Sequence, residues 1–146
     1  MSFEWILVIA AGIAFNILIR LITPGFGSYR IGIDSMPTVP IVVGYLFGLS
    51  AGFWSGIIIG FSMILRSKRL EYLPLVVVAN AMIGILSSFF TSWSLFPLAI
   101  LMIFIYHLFG LVVINIVSEL RPGFFIFVAL NTITTLILVY FVSLIL

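Results

Sequence analysis

Long apolar stretches dominate this chain, and short segments between them hold most of its charged and turn-forming residues. The apolar runs cover residues 3–22, 37–65, 71–90, 95–118 and 123–145. A helix needs about 20 apolar residues to cross a hydrocarbon core of about 30 Å, and each run reaches that length. The pattern predicts an all-α integral membrane protein: one domain over residues 1–146, a compact bundle of six, or alternatively five, transmembrane helices.

The second run, residues 37–65, decides between these two counts. Its 29 residues would form a helix of about 43 Å, more than a straight crossing needs. The run is either one strongly tilted helix or two short helices that break near Leu49–Gly52. With two helices, the first, third and fifth connections share one side, and that side receives all six basic residues. This charge asymmetry favours six passes.

Composition agrees with a membrane location and excludes several functions. Hydrophobic residues make up 64% of the chain and charged residues 7%, whereas about a quarter of the residues in a soluble domain are charged. The net charge of +2 comes without a basic run, so nucleic acid is not an expected partner. With no cysteine and one histidine, we expect neither a metal site nor a cofactor. No basic residue precedes the first apolar run, so we expect its helix to stay in the mature protein.

Four asparagines interrupt the apolar runs: Asn16, Asn80, Asn115 and Asn131. With six passes, each lies in the half of its helix nearer the charged side. Transmembrane asparagines often hydrogen-bond between helices and do no more than hold a bundle together. Four of them at similar depth also fit a cavity that opens on one side, because polar groups inside a membrane tend to face a filled interior. The sequence leaves both interpretations open. His107 would lie at the floor of such a cavity or pack against the backbone.

A glycine at every fourth position marks the middle of the second run, "GYLFGLSAGFWSGIIIG". Residues four apart lie nearly above one another on a helix. Their missing side chains leave a groove in which another helix can approach to backbone contact. We therefore assign these residues to helix packing: Gly44, Gly48, Gly52, Gly56 and Gly60.

With its flanks, the segment "YRIGIDSMPTVPIVVGYLFGLSAGFWSGIIIGFSMIL" resembles the second and third helices of the S components of energy-coupling factor transporters. In that family an arginine or a polar loop precedes a proline-led apolar run, and a glycine-rich pair of helices follows. Ala10 and Ala14 in "AAGIA" resemble the family's AxxxA contact with the transmembrane coupling subunit. Internal packing is an equally good explanation of this alanine pair. The chain is short for the family, which leaves little room for loops that cover a substrate.

The resemblance implies a substrate-binding subunit in the cell membrane that catalyses no reaction itself. It would capture a small water-soluble, vitamin-like compound, and a coupling subunit with two ATP-hydrolysing subunits would drive uptake. The family's orientation would place the basic residues outside, against the usual tendency. Either these residues serve an anionic ligand, or the orientation is reversed. The substrate-binding residues we expect are Arg30, Asn80, Asn115, Glu119, Arg121 and Asn131.

Two other classes of function remain. An enzyme would have to use Asp34, Glu71, Glu119 or His107, which read more simply as loop-edge charges and a core histidine. No spacing among them matches a metal motif, so we expect no catalytic residues. A structural subunit of a larger membrane complex is the alternative to the transporter subunit. In that case the glycines and the Ala10–Ala14 pair would be docking faces.

Overall fold

The computed structural model describes residues 3–22, 33–62, 72–117 and 122–146. These residues form six helices and no strand, so the chain is all-helical there. The helices are α1 (Glu4–Ile22), α2 (Thr38–Phe47), α3 (Leu49–Phe61), α4 (Leu73–Ser87), α5 (Leu95–Val117) and α6 (Pro122–Ser143).

The second apolar run is two short helices, α2 and α3, and the chain turns between them at Gly48. Gly48 has φ +86° and ψ −176°, a backbone conformation that is almost confined to glycine. Its N–H still donates to Gly44 O, and its own carbonyl accepts from Gly52 N–H, so the turn needs no other residue. The break comes just before the predicted Leu49–Gly52 segment, because Gly48 is where the backbone takes the glycine-only conformation.

Glycines bring α2, α3 and α4 into backbone contact. A Cβ atom added to Gly44 or to Gly52 would overlap the carbonyl oxygen of Gly84 on α4. Further along α3, Gly56 lies against the backbone of Asn80 and Ala81. Backbones this close gain dispersion contacts that larger residues would prevent.

The order of these contacts fixes the direction of the helices. Gly60, at the end of α3, lies against Val77 near the start of α4, whereas Gly52 lies against Gly84 near the end of α4. The two helices are therefore antiparallel. The turn at Gly48 brings Gly44 against Gly52, so α2 runs the same way as α4.

Two clusters of buried apolar side chains hold the helices together. The larger one joins α2, α4, α5 and α6 through residues such as Val42, Ile83, Met102 and Val139. The smaller one joins α1, α2 and α3 through Ile9, Val39, Val43, Ala51 and Ile59, together with Met36. Because α2 contributes to both clusters, it is the central helix of the described structure.

Among the described residues, two helical segments are long and apolar enough to cross a membrane: Leu95–Ile116 in α5 and Gly123–Ser143 in α6. The apolar helical segments of α1 to α4 are shorter. Both long helices expose large apolar side chains on their outer faces, for example Phe104, Ile116, Phe125 and Ile137. By length and composition, then, two helices fit a membrane crossing.

Candidate functional site: a buried polar cluster at the start of α2

A short polar segment, residues 34–38, leads into α2 in the interior of the helical assembly. Asp34 is only 1% exposed, and its Oδ1 accepts a hydrogen bond from the backbone N–H of Met36 at 3.0 Å. Ser35 and Thr38 are buried as well. Proline at positions 37 and 40 limits the hydrogen bonding of the backbone here, because proline has no N–H. Buried polar side chains therefore surround the start of α2 inside the fold.

Helix α1 contributes Asn16 to this segment. Asn16 Oδ1 accepts a hydrogen bond from the backbone N–H of Ser35 at 2.9 Å. The Ser35 hydroxyl has one proton, which it donates either to Gly12 O at 2.9 Å, one helical turn earlier on α1, or to Asn16 Oδ1 at 3.2 Å. A Cβ atom on Gly12 would overlap the Val39 side chain, so the glycine lets α1 approach α2 at this level. Asn16 is consequently 2% exposed although it lies on an outer helix.

Helix α6 contributes Asn131 from another side. Asn131 Nδ2 donates to Asp34 Oδ1 at 3.0 Å, a hydrogen bond between residues far apart in the chain. Thr135 follows Asn131 by one helical turn on the same face of α6, and both side chains are fully buried. We call Asn16, Asp34, Ser35, Thr38, Asn131 and Thr135 the polar cluster.

Four side-chain atoms of the polar cluster have no hydrogen-bond partner within the described structure: Asn16 Nδ2, Thr38 Oγ1, Asn131 Oδ1 and Thr135 Oγ1. The buried serines behave differently, since Ser55, Ser62 and Ser87 each donate to a carbonyl of their own helix. A buried polar group left without a partner costs about 1–3 kcal/mol. Four such groups in one cluster are unusual, because buried polar side chains in folded proteins are normally hydrogen-bonded.

The asparagines predicted to bind substrate fall in different environments. Asn131 belongs to the polar cluster. Asn80 is fully buried on α4, where its Nδ2 donates to Val76 O at 2.8 Å and its Oδ1 has no partner among the described residues. No hydrogen bond within the described structure links Asn80 to the polar cluster. Asn115 is exposed near the end of α5, away from the buried side chains. The structure thus separates three side chains that their depth alone grouped together.

The charged residues predicted to bind substrate, Arg30, Glu119 and Arg121, lie outside the described residues. Asp34, which the sequence suggested was a solvated loop-edge charge, is instead buried at the centre of the polar cluster. Sequence reasoning also missed Ser35, Thr38 and Thr135. Two signals could have found them: a polar segment directly before a proline-led apolar run, and a threonine one helical turn after Asn131.

The remaining candidates lie apart from the polar cluster. Ala10 and Ala14 are both exposed on the outer face of α1. The His107 ring on α5 packs edge-on against Tyr106 and Phe127, and His107 Nε2 has no partner in the described part of the chain. No group of three histidine, aspartate or glutamate side chains that could hold a metal ion is found among the described residues.

Comparisons of this chain with protein-family models, with curated proteins and with solved structures find no match to any of them.

Proposed function

We propose that this chain is a multi-pass protein of the cell membrane that binds a small polar compound in the polar cluster, as the substrate-binding subunit of an energy-coupling factor type importer. Its partners would be a transmembrane coupling subunit and ATP-hydrolysing subunits. The chain lacks the GxxxxGK[ST] phosphate-binding loop, so others would have to supply ATP hydrolysis. The resemblance of residues 10–14 and 30–60 to S components supports the transport part of this proposal.

One observation carries the proposal: polar side chains are buried while large apolar side chains are exposed. On α6, Asn131 and Thr135 are fully buried, whereas Phe125, Ile133 and Phe141 are more than half exposed. Water would favour the opposite arrangement, because burying a polar group costs free energy and exposing apolar surface forgoes the hydrophobic gain. In a lipid environment, exposed apolar side chains and buried polar side chains are both favourable, because the apolar ones face the lipid and the polar ones face a filled interior.

The short helices are compatible with membrane insertion. A helix that does not reach across a bilayer is tolerated where other protein surrounds it. Residues 38–44 of α2 are all buried, and α3 and α4 enclose it through glycine contacts. The longer α5 and α6 would then span the hydrocarbon layer beside this group.

The unpartnered groups of the polar cluster support the binding part of the proposal. They come from α1, from α2 and from α6, so three helices contribute to the same site. Side chains that served only to join these helices would pair with one another. The outer face of α1, where Ala10 and Ala14 are exposed, offers the close approach that a coupling subunit would need.

Native mass spectrometry of the gently purified protein tests this function. We expect a retained small molecule on the wild-type chain, and we expect the double variant Thr38→Val, Thr135→Val to lose it. Both changes keep the shape of the side chain and remove a hydroxyl, so the fold should persist. Asn115→Ala is the matched control, because its side chain is exposed, whereas those of the polar cluster are buried. Equal retention by the double variant would reject the polar cluster as the binding site.

A structural subunit of a membrane complex is the second candidate, and the exposed apolar face of α1 around Ala10 and Ala14 favours it. In this case the purified chain would carry no small molecule and would be found in a fixed ratio with other membrane proteins. The same mass spectra separate the two functions.

A further inference from the structure

The hydrogen bonds of the polar cluster determine which groups remain available for a ligand. The amide nitrogen of Asn131 faces Asp34 and donates a hydrogen bond to its Oδ1 at 3.0 Å. Asn131 Oδ1, the atom without a partner, is left as a hydrogen-bond acceptor.

Asn16 has the opposite orientation. Its neighbour is the backbone N–H of Ser35, which can only donate, so Asn16 Oδ1 must face it. The amide nitrogen of Asn16 is left over as a hydrogen-bond donor. Because Asn16 and Asn131 bind adjacent residues, Ser35 and Asp34, this donor and the Asn131 acceptor belong to the same small region.

Two hydroxyl groups complete the set. Thr38 follows Asp34 by four residues, and Thr135 follows Asn131 by four residues. Each threonine therefore lies on the same segment as one partner of the Asp34–Asn131 hydrogen bond, Thr38 with Asp34 and Thr135 with Asn131. A hydroxyl both donates and accepts, so these groups suit either kind of partner.

We propose that the polar cluster binds an uncharged compound that presents an acceptor to Asn16 Nδ2 and a donor to Asn131 Oδ1, as a carboxamide or a lactam does. This inference rests on the proposed function and adds the chemical class of its ligand. None of the four available groups carries a charge. An anion would meet the Asn131 oxygen, which repels it, and a cation would meet the Asn16 N–H, which cannot accept from it.

Three probes of nearly the same shape test this ligand class: benzamide, benzoate and benzamidine. Benzamide is neutral and offers both a donor and an acceptor, benzoate is an anion with acceptors, and benzamidine is a cation with donors. We would measure their dissociation constants on the detergent-solubilised chain by thermal shift, alongside mass spectra of any retained compound. We expect benzamide to bind at least about fivefold more tightly than either ion. This ratio corresponds to the contribution of about one hydrogen bond to binding.

Substitution of Asn16 should reverse this preference. In Asn16→Asp the carboxylate still accepts from Ser35 N–H, but the leftover donor becomes an acceptor, so benzamidine should become the tightest probe. Asn115→Asp adds the same charge at an exposed position and should leave the preference unchanged. Because a buried carboxylate at position 16 could prevent folding, Thr135→Val gives a second test. This substitution should weaken the binding of benzamide about fivefold while the protein stays folded.

The outcomes distinguish the ligand class from the function. Tightest binding of benzoate or benzamidine to the wild-type chain, or a charged retained compound that Thr135→Val releases, would overturn the ligand class and keep the binding function. Equal binding of all three probes would also overturn the ligand class. If no probe binds and no compound is retained, both proposals fail.

Discussion

Two regions of this molecule pack by different means. In the α2–α3–α4 group, glycines place one backbone directly against another, and Gly52 and Gly84 lie in mutual contact. In the α5–α6 pair, large side chains make the contact, such as the His107 ring against Phe127. Glycines occur there too, but a Cβ atom on Gly110 or Gly123 would meet nothing within 4 Å. The first region is built around missing side chains, and the second around large ones.

The difference shows that the structural role of a glycine in an apolar helix depends on what lies opposite it. Gly44, Gly52, Gly56 and Gly60 share the four-residue spacing with Gly48, yet Gly48 contacts nothing at its Cβ position and serves the turn. Spacing identifies a possible contact face. Only the partner helix decides whether each glycine on it is needed for packing or for backbone conformation.

The strongest test of this comparison is a pair of glycine-to-alanine changes. In Gly52→Ala the new methyl group would overlap the backbone of Gly84, which cannot move without separating α3 from α4. We expect a loss of about 3 kcal/mol in the free energy of unfolding. Gly110→Ala has open space and should be neutral or stabilising by up to about 1 kcal/mol. Unfolding of the solubilised protein, followed by circular dichroism, measures both; equal losses would remove the distinction between the two regions.

The hydrogen bond from Asn131 to Asp34 ties α6 to the start of α2 and offers the next largest effect. Asn131→Ala deprives a buried carboxylate of a donor, so we expect a loss of about 2 kcal/mol. Asn115→Ala, at an exposed site on the neighbouring helix, should change the free energy of unfolding by less than about 0.5 kcal/mol. The same unfolding experiment compares them. A similar cost for both would mean that the buried bond contributes nothing specific to stability.

A substitution in the turn at Gly48 tests the free-energy cost of backbone conformation without a cost from packing. Gly48→Ala has room for its methyl group, so its cost should come from the backbone conformation alone, about 1–2 kcal/mol. It should therefore destabilise the protein less than Gly52→Ala does. If Gly48→Ala costs nothing, the turn does not require the glycine-only conformation.

The smallest effect on the isolated chain is expected at the outer face of α1. Ala10→Leu adds an exposed side chain and should change the free energy of unfolding by less than about 0.5 kcal/mol. If α1 is a docking face, the same change should release partner subunits during purification. Gel filtration of the co-purified complex measures this; retention of the partners would move the docking face elsewhere.

The helices and their order could be predicted from the hydrophobic runs, because uninterrupted apolar runs of about 20 residues are typical of helices. The two-helix interpretation of residues 37–65 matches the six helices observed, and the break lies one residue before the predicted segment. Its position depended on which glycine takes a positive φ. Several closely spaced glycines are each capable of that, so local sequence does not choose among them.

The candidate site was less predictable. Depth along a helix made Asn115 and Asn131 equally good candidates for binding a substrate. Depth does not say, however, which face of the helix a residue occupies. Both α5 and α6 are apolar nearly all round, so no polar face indicates a direction. Asp34 was missed for another reason: a charge beside a loop is usually solvated. Its burial depends on Asn131, 97 residues away, and such a contact leaves no local signal.

If the chain spans a membrane as proposed, the unequal lengths of its helices would make the surrounding lipid uneven. At 1.5 Å per residue, the 10 residues of α2 and the 15 of α4 span about 15 and 22 Å, whereas the 23 residues of α5 span about 34 Å. Such a membrane would match its thickness to α5 and α6 and would have to become thinner beside α3 and α4. The free energy of such a hydrophobic mismatch rises with every ångström by which the helix length and the hydrocarbon thickness differ. Lipids with short acyl chains would therefore gather beside α3 and α4.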